Sequence, residues 1–147
     1  MLLAIDVGNT QTVLGIYDND KLVHMWRVAT NVDHTSDELR IKLHTLMMAE
    51  GLEYSHIDGA ILASVVPALT HNWEKACCRS FNVDTLVVSA ASAGHLINVD
   101  MSKFPELGAD RVADAAAAKH LYGSPCHCGG LWYGDQYRNN QQRGQRL

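Results

Sequence analysis

The feature that most constrains the fold is a short polar interruption between two apolar runs near the N-terminus. Residues 1–5 are apolar and suit a buried strand, and a second apolar run covers residues 13–17. Asp6 and Gly8 lie between them, and glycine adopts backbone dihedrals that are closed to other residues. A further turn at residues 18–20 leads into a third apolar stretch. The pattern predicts a β-hairpin whose first bend is a polar loop.

Strands and helices follow one another along most of the chain. The sequence predicts strands at 2–7, 12–17 and 21–29, a helix within 33–52, a strand at 57–67, a helix at 69–81, a strand at 84–90 and a helix at 108–123. Within 33–52, Thr35 and Glu38 fit a capping box, and Gly51 suits a C-terminal cap. This order predicts an α/β domain with a mixed sheet and flanking helices.

Composition narrows the class of protein. The chain has 147 residues, enough for one domain with a core, and its net charge of -4 favours neither nucleic acid nor anionic membranes as partners. No apolar run reaches the roughly 18 residues of a membrane span, and the N-terminus lacks a secretory leader. We therefore expect a cytoplasmic protein with no nucleic-acid or membrane partner.

Four cysteines occur as two close pairs. Cys77 is adjacent to Cys78, and one residue separates Cys126 from Cys128. Such spacing makes a poor disulfide framework, so we expect reduced thiols, with the first pair in or near the core. Cys126, His127 and Cys128 could bind zinc, but a second ligand pair is missing. A small zinc protein stays as an alternative.

The polar bend after the first strand has the chemistry of a phosphate site. Backbone N–H groups of such a bend can close around phosphate, and Asn9, Thr10 and Thr12 offer further donors. Asp6 would repel phosphate unless a cation lay between them, so it suits a position associated with Mg²⁺. An ordinary tight turn with a polar bend is the alternative.

A second candidate site begins just before the last predicted helix. Gly108 and Ala109 precede Asp110 and Arg111, which fall in the first turn of that helix. Arginine can bind a carboxylate and aspartate can accept a proton, so the pair suits a polar substrate. A solvated helix start, with Asp110 as a charge that stabilises the helix dipole, is the alternative.

Three segments, taken in order, resemble the type III pantothenate kinases. They are AIDVGNTQTVLGIYD at 4–18, ASVVPAL at 63–69 and PELGADRVADAAAAKHLYG at 105–123. The resemblance implies an actin-like (ribonuclease H-like) domain over residues 1–125, of the acetate and sugar kinase superfamily. It also implies the phosphorylation of pantothenate to 4'-phosphopantothenate in coenzyme A biosynthesis. ATP with Mg²⁺, a monovalent cation (K⁺ or NH4⁺) and a homodimer are implied as well.

The resemblance assigns roles to both candidate sites. It implies that the ATP phosphates are lined by Asp6, Val7, Gly8, Asn9, Thr10, Gln11, Thr12 and Val13, with Asp6 near the metal. It implies that pantothenate is bound by Gly108, Ala109, Asp110 and Arg111. Arg111 would face the substrate carboxylate, and Asp110 would be the base for its primary hydroxyl. A tyrosine that the family often places a few residues upstream is absent from 97–108. Such a site would transfer the phosphoryl group in line, chiefly by positioning and charge stabilisation.

The resemblance breaks at residue 126. The family continues with an apolar strand and a second phosphate motif, Asp-Phe-Gly-Thr-Ala-Thr, whereas residues 126–147 are rich in Gly, Gln, Asn and Arg. This segment has neither strand nor helix period, and we expect it to be a disordered tail. The second domain is expected to be missing.

The genetic code offers a reason for this break. Synonymous codons exist for residues 127–137 which, after loss of their first base, encode Ile-Val-Val-Asp-Phe-Gly-Thr-Ala-Thr-Asn. We therefore predict a one-base frameshift near codon 126. The chain would then lack the Asp expected to bind the monovalent cation, and we expect little or no kinase activity. A non-catalytic ligand-binding or regulatory actin-like domain is the alternative.

Overall fold

A computed structural model describes residues 1–97, 108–123, 126–128 and 131–133. The strands are β1 Leu2–Val7, β2 Gln11–Asp18, β3 Lys21–Ala29, β4 Gly59–Ser64, β5 Thr85–Val87, β6 Cys126–Cys128 and β7 Leu131–Tyr133. The helices are α1 Ser36–Ala49, α2 Pro67–Phe81, α3 Ala90–Ile97 and α4 Ala109–Tyr122, with a 3₁₀ turn at Tyr54–His56. The chain forms two compact units, Met1–Val87 and Val88–Leu147.

The first unit is built on a five-stranded sheet with the order β3-β2-β1-β4-β5. The central strand β1 is antiparallel to β2 and parallel to β4, and β5 is parallel to β4. The first three strands therefore form an antiparallel meander that contains the predicted hairpin, and the parallel strands follow it. The predicted α/β class, a mixed sheet with flanking helices, is confirmed.

The two faces of β1 differ in burial. Leu3, Ile5 and Val7 are buried, whereas Leu2 is 40% exposed and Asp6 is also exposed. Side chains alternate across a strand, so these two sets lie on opposite faces of the sheet. The prediction of a buried strand therefore holds for one face, and Asp6 is on the other.

Each residue of β1 is in register with a residue on both sides. Ile5, for example, pairs with Leu14 of β2 and with Leu62 of β4. The ladder on the other side of β2 contains a register shift between Ile16 and Tyr17. The predicted turn between β2 and β3 is confirmed, and Asn19 adopts a left-handed conformation there, with φ of +52°.

Helix α1 has the predicted signals at both ends. The Thr35 hydroxyl accepts a hydrogen bond from the Glu38 N–H, and the Glu38 carboxylate accepts one from the Thr35 N–H, at 3.3 and 2.7 Å. At the other end Gly51 has φ of +69° and donates to the Met48 carbonyl, while Leu52 donates to the Met47 carbonyl. These two bonds form a Schellman motif, which requires a left-handed residue at the position of Gly51.

Helix α2 begins earlier than the sequence predicts. Proline is favoured at the first helical position because its fixed φ suits the helix and its missing N–H would have no intrahelical partner. Pro67 therefore opens α2 rather than ending β4, which stops at Ser64. Helices α1 and α2 contribute many residues to the core, among them Leu39, Leu43, Met47, Leu69, Trp73 and Cys77.

The second unit contains a helix that the sequence reading missed. Strand β5 ends at Val87, short of the predicted residue 90, and α3 begins at Ala90. Ser89 and Ser92 exchange hydrogen bonds between side chain and backbone N–H, at 2.8 and 3.1 Å. This reciprocal pair satisfies donors at the start of α3, much as a capping box does.

Helix α4 is confirmed, and Gly123 follows it with φ of +76°. After it, β6 and β7 pair antiparallel, with His127 opposite Trp132. The sequence of residues 126–147 has no strand period, yet β6 and β7 are two short strands within it. The predicted disorder of residues 134–147 falls outside the described residues. None of the described helices is long and apolar enough to cross a membrane.

Candidate functional site

The polar bend between β1 and β2 is closed by one backbone hydrogen bond. The Gly8 N–H donates to the Gln11 carbonyl at 3.0 Å. This bond brings the ends of the two strands together and leaves Asn9 and Thr10 at the tip, where both are exposed. The bend is therefore a short, exposed polar segment where β1 ends and β2 begins.

Gly8 is required here for a different reason from the one expected. Glycine permits dihedrals closed to other residues, but the φ of Gly8 is not positive, so the bend does not use that freedom. A Cβ on Gly8 would instead lie 3.0 Å from the Gln11 carbonyl oxygen, closer than nearly all real Cβ contacts. The absence of a side chain is thus what lets the bend close.

Thr30, just after β3, contacts the bend at three points. Its hydroxyl donates to the Gly8 carbonyl at 2.8 Å and lies 2.9 Å from the Thr12 hydroxyl. Its backbone N–H donates to the Thr10 carbonyl at 2.9 Å. The sequence reading missed Thr30, because these contacts join residues about twenty positions apart. Its place one residue past the end of β3, the strand that pairs with β2, is the signal that could have found it.

These bonds satisfy acceptors of the bend but not all of its donors. The carbonyls of Gly8 and Thr10 accept bonds from Thr30, which satisfies these two acceptors at the bend. None of the described residues accepts a backbone hydrogen bond from the N–H groups of Asn9 and Thr10. Unsatisfied donors at an exposed bend form a suitable site for an anion. The geometry therefore supports the phosphate interpretation of this segment.

The predicted phosphate-lining residues divide into two groups. Asn9, Thr10 and Gln11 are exposed at the bend, whereas Val7 is fully buried and Thr12 is 2% exposed. The side chains of the buried pair support the bend from within the unit. Phosphate could be contacted by the exposed group and by the backbone of the bend.

Asp6 lies two residues before Gly8, at the exposed end of β1. Its register partners are Val13 on β2 and Ala63 on β4. Among the described residues, no group of three or more His, Cys, Asp or Glu side chains could hold a metal ion by itself. Mg²⁺, however, is usually bound by one or two carboxylates together with waters and substrate phosphates. A single carboxylate beside an anion-binding bend fits that donor set.

The second candidate site is the first turn of α4, in the other unit. Gly108 is the N-cap residue, and its carbonyl accepts a bond from the Val112 N–H at 3.2 Å. The Asp110 carboxylate accepts a bond from the Arg111 N–H at 2.8 Å. Asp110 thus makes the helix-start contact that its alternative interpretation predicts, while Arg111 is exposed. The first turn of α4 therefore contains a carboxylate and a guanidinium group on consecutive residues.

The cysteine expectations are partly met. Cys77 is buried and Cys78 exposed, and neither forms a disulfide. Burial raises the pKa of the Cys77 thiol to about 12. The zinc hypothesis for Cys126, His127 and Cys128 concerns side chains outside the described ones.

Comparisons with known proteins agree with the resemblance that the three sequence segments indicate. The chain is 42% identical over 125 residues to the type III pantothenate kinase of Geobacillus sp. (strain WCH70), covering 85% of this chain and 48% of the relative. It is 43% identical over 125 residues to the one from Rhodospirillum rubrum, covering 85% and 49%. The chain thus spans about half the length of the curated relatives it matches.

One solved structure that matches part of this chain is the putative N-acetylglucosamine kinase from Porphyromonas gingivalis, with a TM-score of 0.47 and 18% identity. That match covers 67% of this chain and 38% of the other. The model of the family described as "Type III pantothenate kinase" matches residues 2–128, which include both the bend after β1 and the first turn of α4. Because that match takes in most of the sequence, the chain belongs to the type III pantothenate kinase family.

Proposed function

We propose that this chain carries the phosphate-binding and pantothenate-binding part of a kinase that phosphorylates pantothenate to 4'-phosphopantothenate with ATP. The observation that carries the proposal is the bend at Gly8–Gln11, where the carbonyls are satisfied by Thr30 and exposed N–H groups are left for an anion. Membership of the type III pantothenate kinase family supports the phosphates of ATP as that anion.

Asp6 would bind the Mg²⁺ that accompanies ATP. Asp6 is exposed and lies two residues before Gly8 in the sequence, so its carboxylate would share the ion with phosphate oxygens. The ion, when bound, supplies positive charge that offsets the charge of the phosphates. Asn9 and Thr10 would then orient the phosphates through their N–H groups.

Gly108–Arg111 would bind pantothenate. The Arg111 guanidinium is exposed and suits the substrate carboxylate, because arginine pairs with carboxylates through two parallel hydrogen bonds. Asp110 would accept the proton of the primary hydroxyl as the phosphoryl group is transferred. Its bond to the Arg111 N–H fixes one carboxylate oxygen, which would aim the other.

We further propose that the chain, as given, does not complete this reaction. The proposed frameshift near codon 126 would replace the second phosphate motif, with the residue for K⁺ or NH4⁺, by the sequence of residues 126–147. The chain spans about half the length of the curated relatives it matches. The longer product would act in the cytoplasm as a homodimer. A non-catalytic domain that binds ligand or regulates a partner is the second candidate function.

Two forms of the protein separate these candidates. Mg-ATP and pantothenate are titrated into the 147-residue chain by calorimetry, and pantothenate-dependent ADP formation is followed in a coupled assay. The same measurements are made on the product of a gene with one base removed at codon 126. We expect binding without turnover by the short chain, and turnover by the longer product. Asp110→Asn should abolish that turnover, whereas Asp20→Asn in the β2–β3 turn should leave it unchanged.

Other outcomes would be equally clear. Turnover by the short chain would refute its proposed inactivity. Binding without turnover by both forms would favour the non-catalytic domain. Failure of both forms to bind Mg-ATP would refute the proposed function. Genomic DNA whose codons for residues 127–137 cannot encode the family motif in the alternative frame would rule out the frameshift.

A further inference from the structure

We infer that Thr30 is a positioning residue that holds the Gly8–Gln11 bend in the conformation needed to bind phosphate. The inference rests on the proposed function of that bend and adds a residue to it. Thr30 follows β3 and lies outside the segment that the family motif assigns to phosphate. It would act through the bend and need not touch ATP.

The contacts of Thr30 restrain the bend on both sides of its tip. One bond reaches the Gly8 carbonyl before Asn9, and another reaches the Thr10 carbonyl after it. A carbonyl turned toward phosphate would repel it. By satisfying both carbonyls, Thr30 fixes the orientation of the peptide units whose N–H groups belong to Asn9 and to Gln11. A rotation of either unit would break one of these bonds.

The hydroxyl of Thr30 has a second partner that is itself held firmly. The Thr12 side chain is 2% exposed, and its hydroxyl lies 2.9 Å from that of Thr30. Because the Thr30 hydroxyl donates its proton to the Gly8 carbonyl, it accepts the proton of Thr12. The two hydroxyls and the carbonyl therefore form a short directed chain from the interior of the unit to the bend.

The segment that carries Thr30 is anchored to the helices. The His34 N–H donates to the Asn31 carbonyl at 3.2 Å, and the Asn72 side chain on α2 donates to the His34 carbonyl at 3.0 Å. This segment is thus tied to α2 by a contact that joins residues 38 positions apart. Because the segment after Thr30 is bonded to α2, Thr30 would restrain the bend through a segment that is itself held in place.

Three variants test the role of the hydroxyl. Thr30→Val keeps the branched shape and removes the hydroxyl, while Thr30→Ser keeps the hydroxyl. Thr45→Val is the matched control, because the Thr45 hydroxyl also donates to a backbone carbonyl, that of Ile41 at 2.9 Å, but from an exposed position on α1. Each is prepared as the 147-residue chain labelled with ¹⁵N.

Two readouts separate the inference from the proposed function. Hydrogen exchange of the Gly8 amide, compared with that of Ile5 in β1, reports the bend without any ligand. Shifts of the Asn9 and Thr10 amide signals on titration with Mg-ATP report phosphate binding. For Thr30→Val we expect Gly8 exchange to accelerate about tenfold beyond any change at Ile5, and Mg-ATP affinity to fall about tenfold. Thr30→Ser should restore most of both, and Thr45→Val should change neither.

Each outcome supports or overturns the role of Thr30, and one outcome separates that role from the proposed function. Unchanged Gly8 exchange in Thr30→Val would overturn the inference, whatever happens to ATP. Faster exchange with unchanged ATP affinity would also overturn it, because the bend would then bind phosphate without being held. If the wild-type chain does not respond to Mg-ATP while Thr30→Val still loosens the bend, the restraint by Thr30 stands and the proposed function fails.

Discussion

The carboxylate of Asp37 lies 3.2 Å from the guanidinium of Arg79, which joins the first turn of α1 to the last turn of α2. The two side chains are 69% and 52% exposed, so water and salt screen the pair strongly. The contact therefore aligns the two helices more than it stabilises them.

Arg79→Ala should accordingly cost little stability. We expect the free energy of unfolding to fall by about 0.2–1 kcal/mol, because exposed ion pairs contribute no more than this. Trp73→Ala, on the buried side of the same helix, should lower it by about 3–5 kcal/mol. Urea unfolding of both variants measures the difference. A loss above about 2 kcal/mol for Arg79→Ala would mean that the pair does more than align the helices.

Gly8→Ala should destabilise the chain and weaken phosphate binding together. The added Cβ would lie 3.0 Å from a backbone oxygen that cannot swing away, so the bend must open. We expect a loss of about 1–3 kcal/mol in the free energy of unfolding. Gly59→Ala is the control, because its Cβ would meet only a flexible Leu2 methyl, at 3.4 Å. Equal stability losses in the two variants would argue against the close approach as the cause.

Gly51→Ala tests a purely conformational requirement. Gly51 has φ of +69° and no atom within 4 Å of its would-be Cβ, so crowding has no part in the effect. We expect the free energy of unfolding to fall by about 1 kcal/mol, because the left-handed region is costly for residues with a Cβ. Gly51→Asn should lose less, since asparagine tolerates this region better. Thermal or urea unfolding of both variants measures the difference. An equal loss in the free energy of unfolding for Gly51→Asn and Gly51→Ala would contradict this interpretation.

The capping box of α1 should make stability depend on acid. Hydrogen bonds from the Thr35 N–H, and then from its hydroxyl, hold the pKa of the Glu38 carboxyl below its usual value of 4.5. A lowered pKa in the folded state stabilises the fold above the unfolded value, and this contribution is lost as pH falls through the folded value. Glu38→Gln keeps a capping side chain but removes the titration.

We therefore expect wild type to exceed Glu38→Gln in stability above pH 4.5 and the difference to vanish in stronger acid. Urea midpoints measured from about pH 2 to pH 7 give the comparison. A difference that stays constant over this range would show that the charge of Glu38 plays no part.

The two neighbouring cysteines should differ sharply in reactivity. The thiolate is the nucleophile, and burial raises the pKa of Cys77 to about 12, whereas Cys78 is exposed. A brief reaction of the folded chain with an alkylating agent, followed by peptide mass spectrometry, should label Cys78 and spare Cys77. Denaturant added beforehand serves as the control and should label both. Early labelling of Cys77 in the folded chain would contradict its burial.

Local signals predicted the parts of the fold that local bonds determine. The capping box at Thr35 and the glycine at residue 51 could be identified because each acts within a few positions of itself. Helix α3 was missed because its start uses two serines, Ser89 and Ser92, a weaker pattern than Thr with Glu. The sequence also predicted the polar bend between β1 and β2, and the assignment of phosphate to that bend stays a prediction.

The support of that bend could not be predicted in the same way. Thr30 contacts Gly8 only because β3 folds back along β2, so its role follows from tertiary structure. Similarly, the need for Gly8 arises from the approach of Gln11 across the bend, which no dihedral preference reveals. Sequence patterns thus located the candidate site, and the structure identified what holds it.

The double register of β1 makes this strand sensitive to insertions and deletions. Its residues are paired on both sides at once, so losing one residue would shift both ladders together. Leu3 and Ile5 would exchange faces with their neighbours, since side chains alternate along a strand. Asp6 would turn toward the core in the same step. The turn at Asn19, bordered on one side by an edge strand, is where length variation could accumulate during evolution without disturbing the phosphate bend.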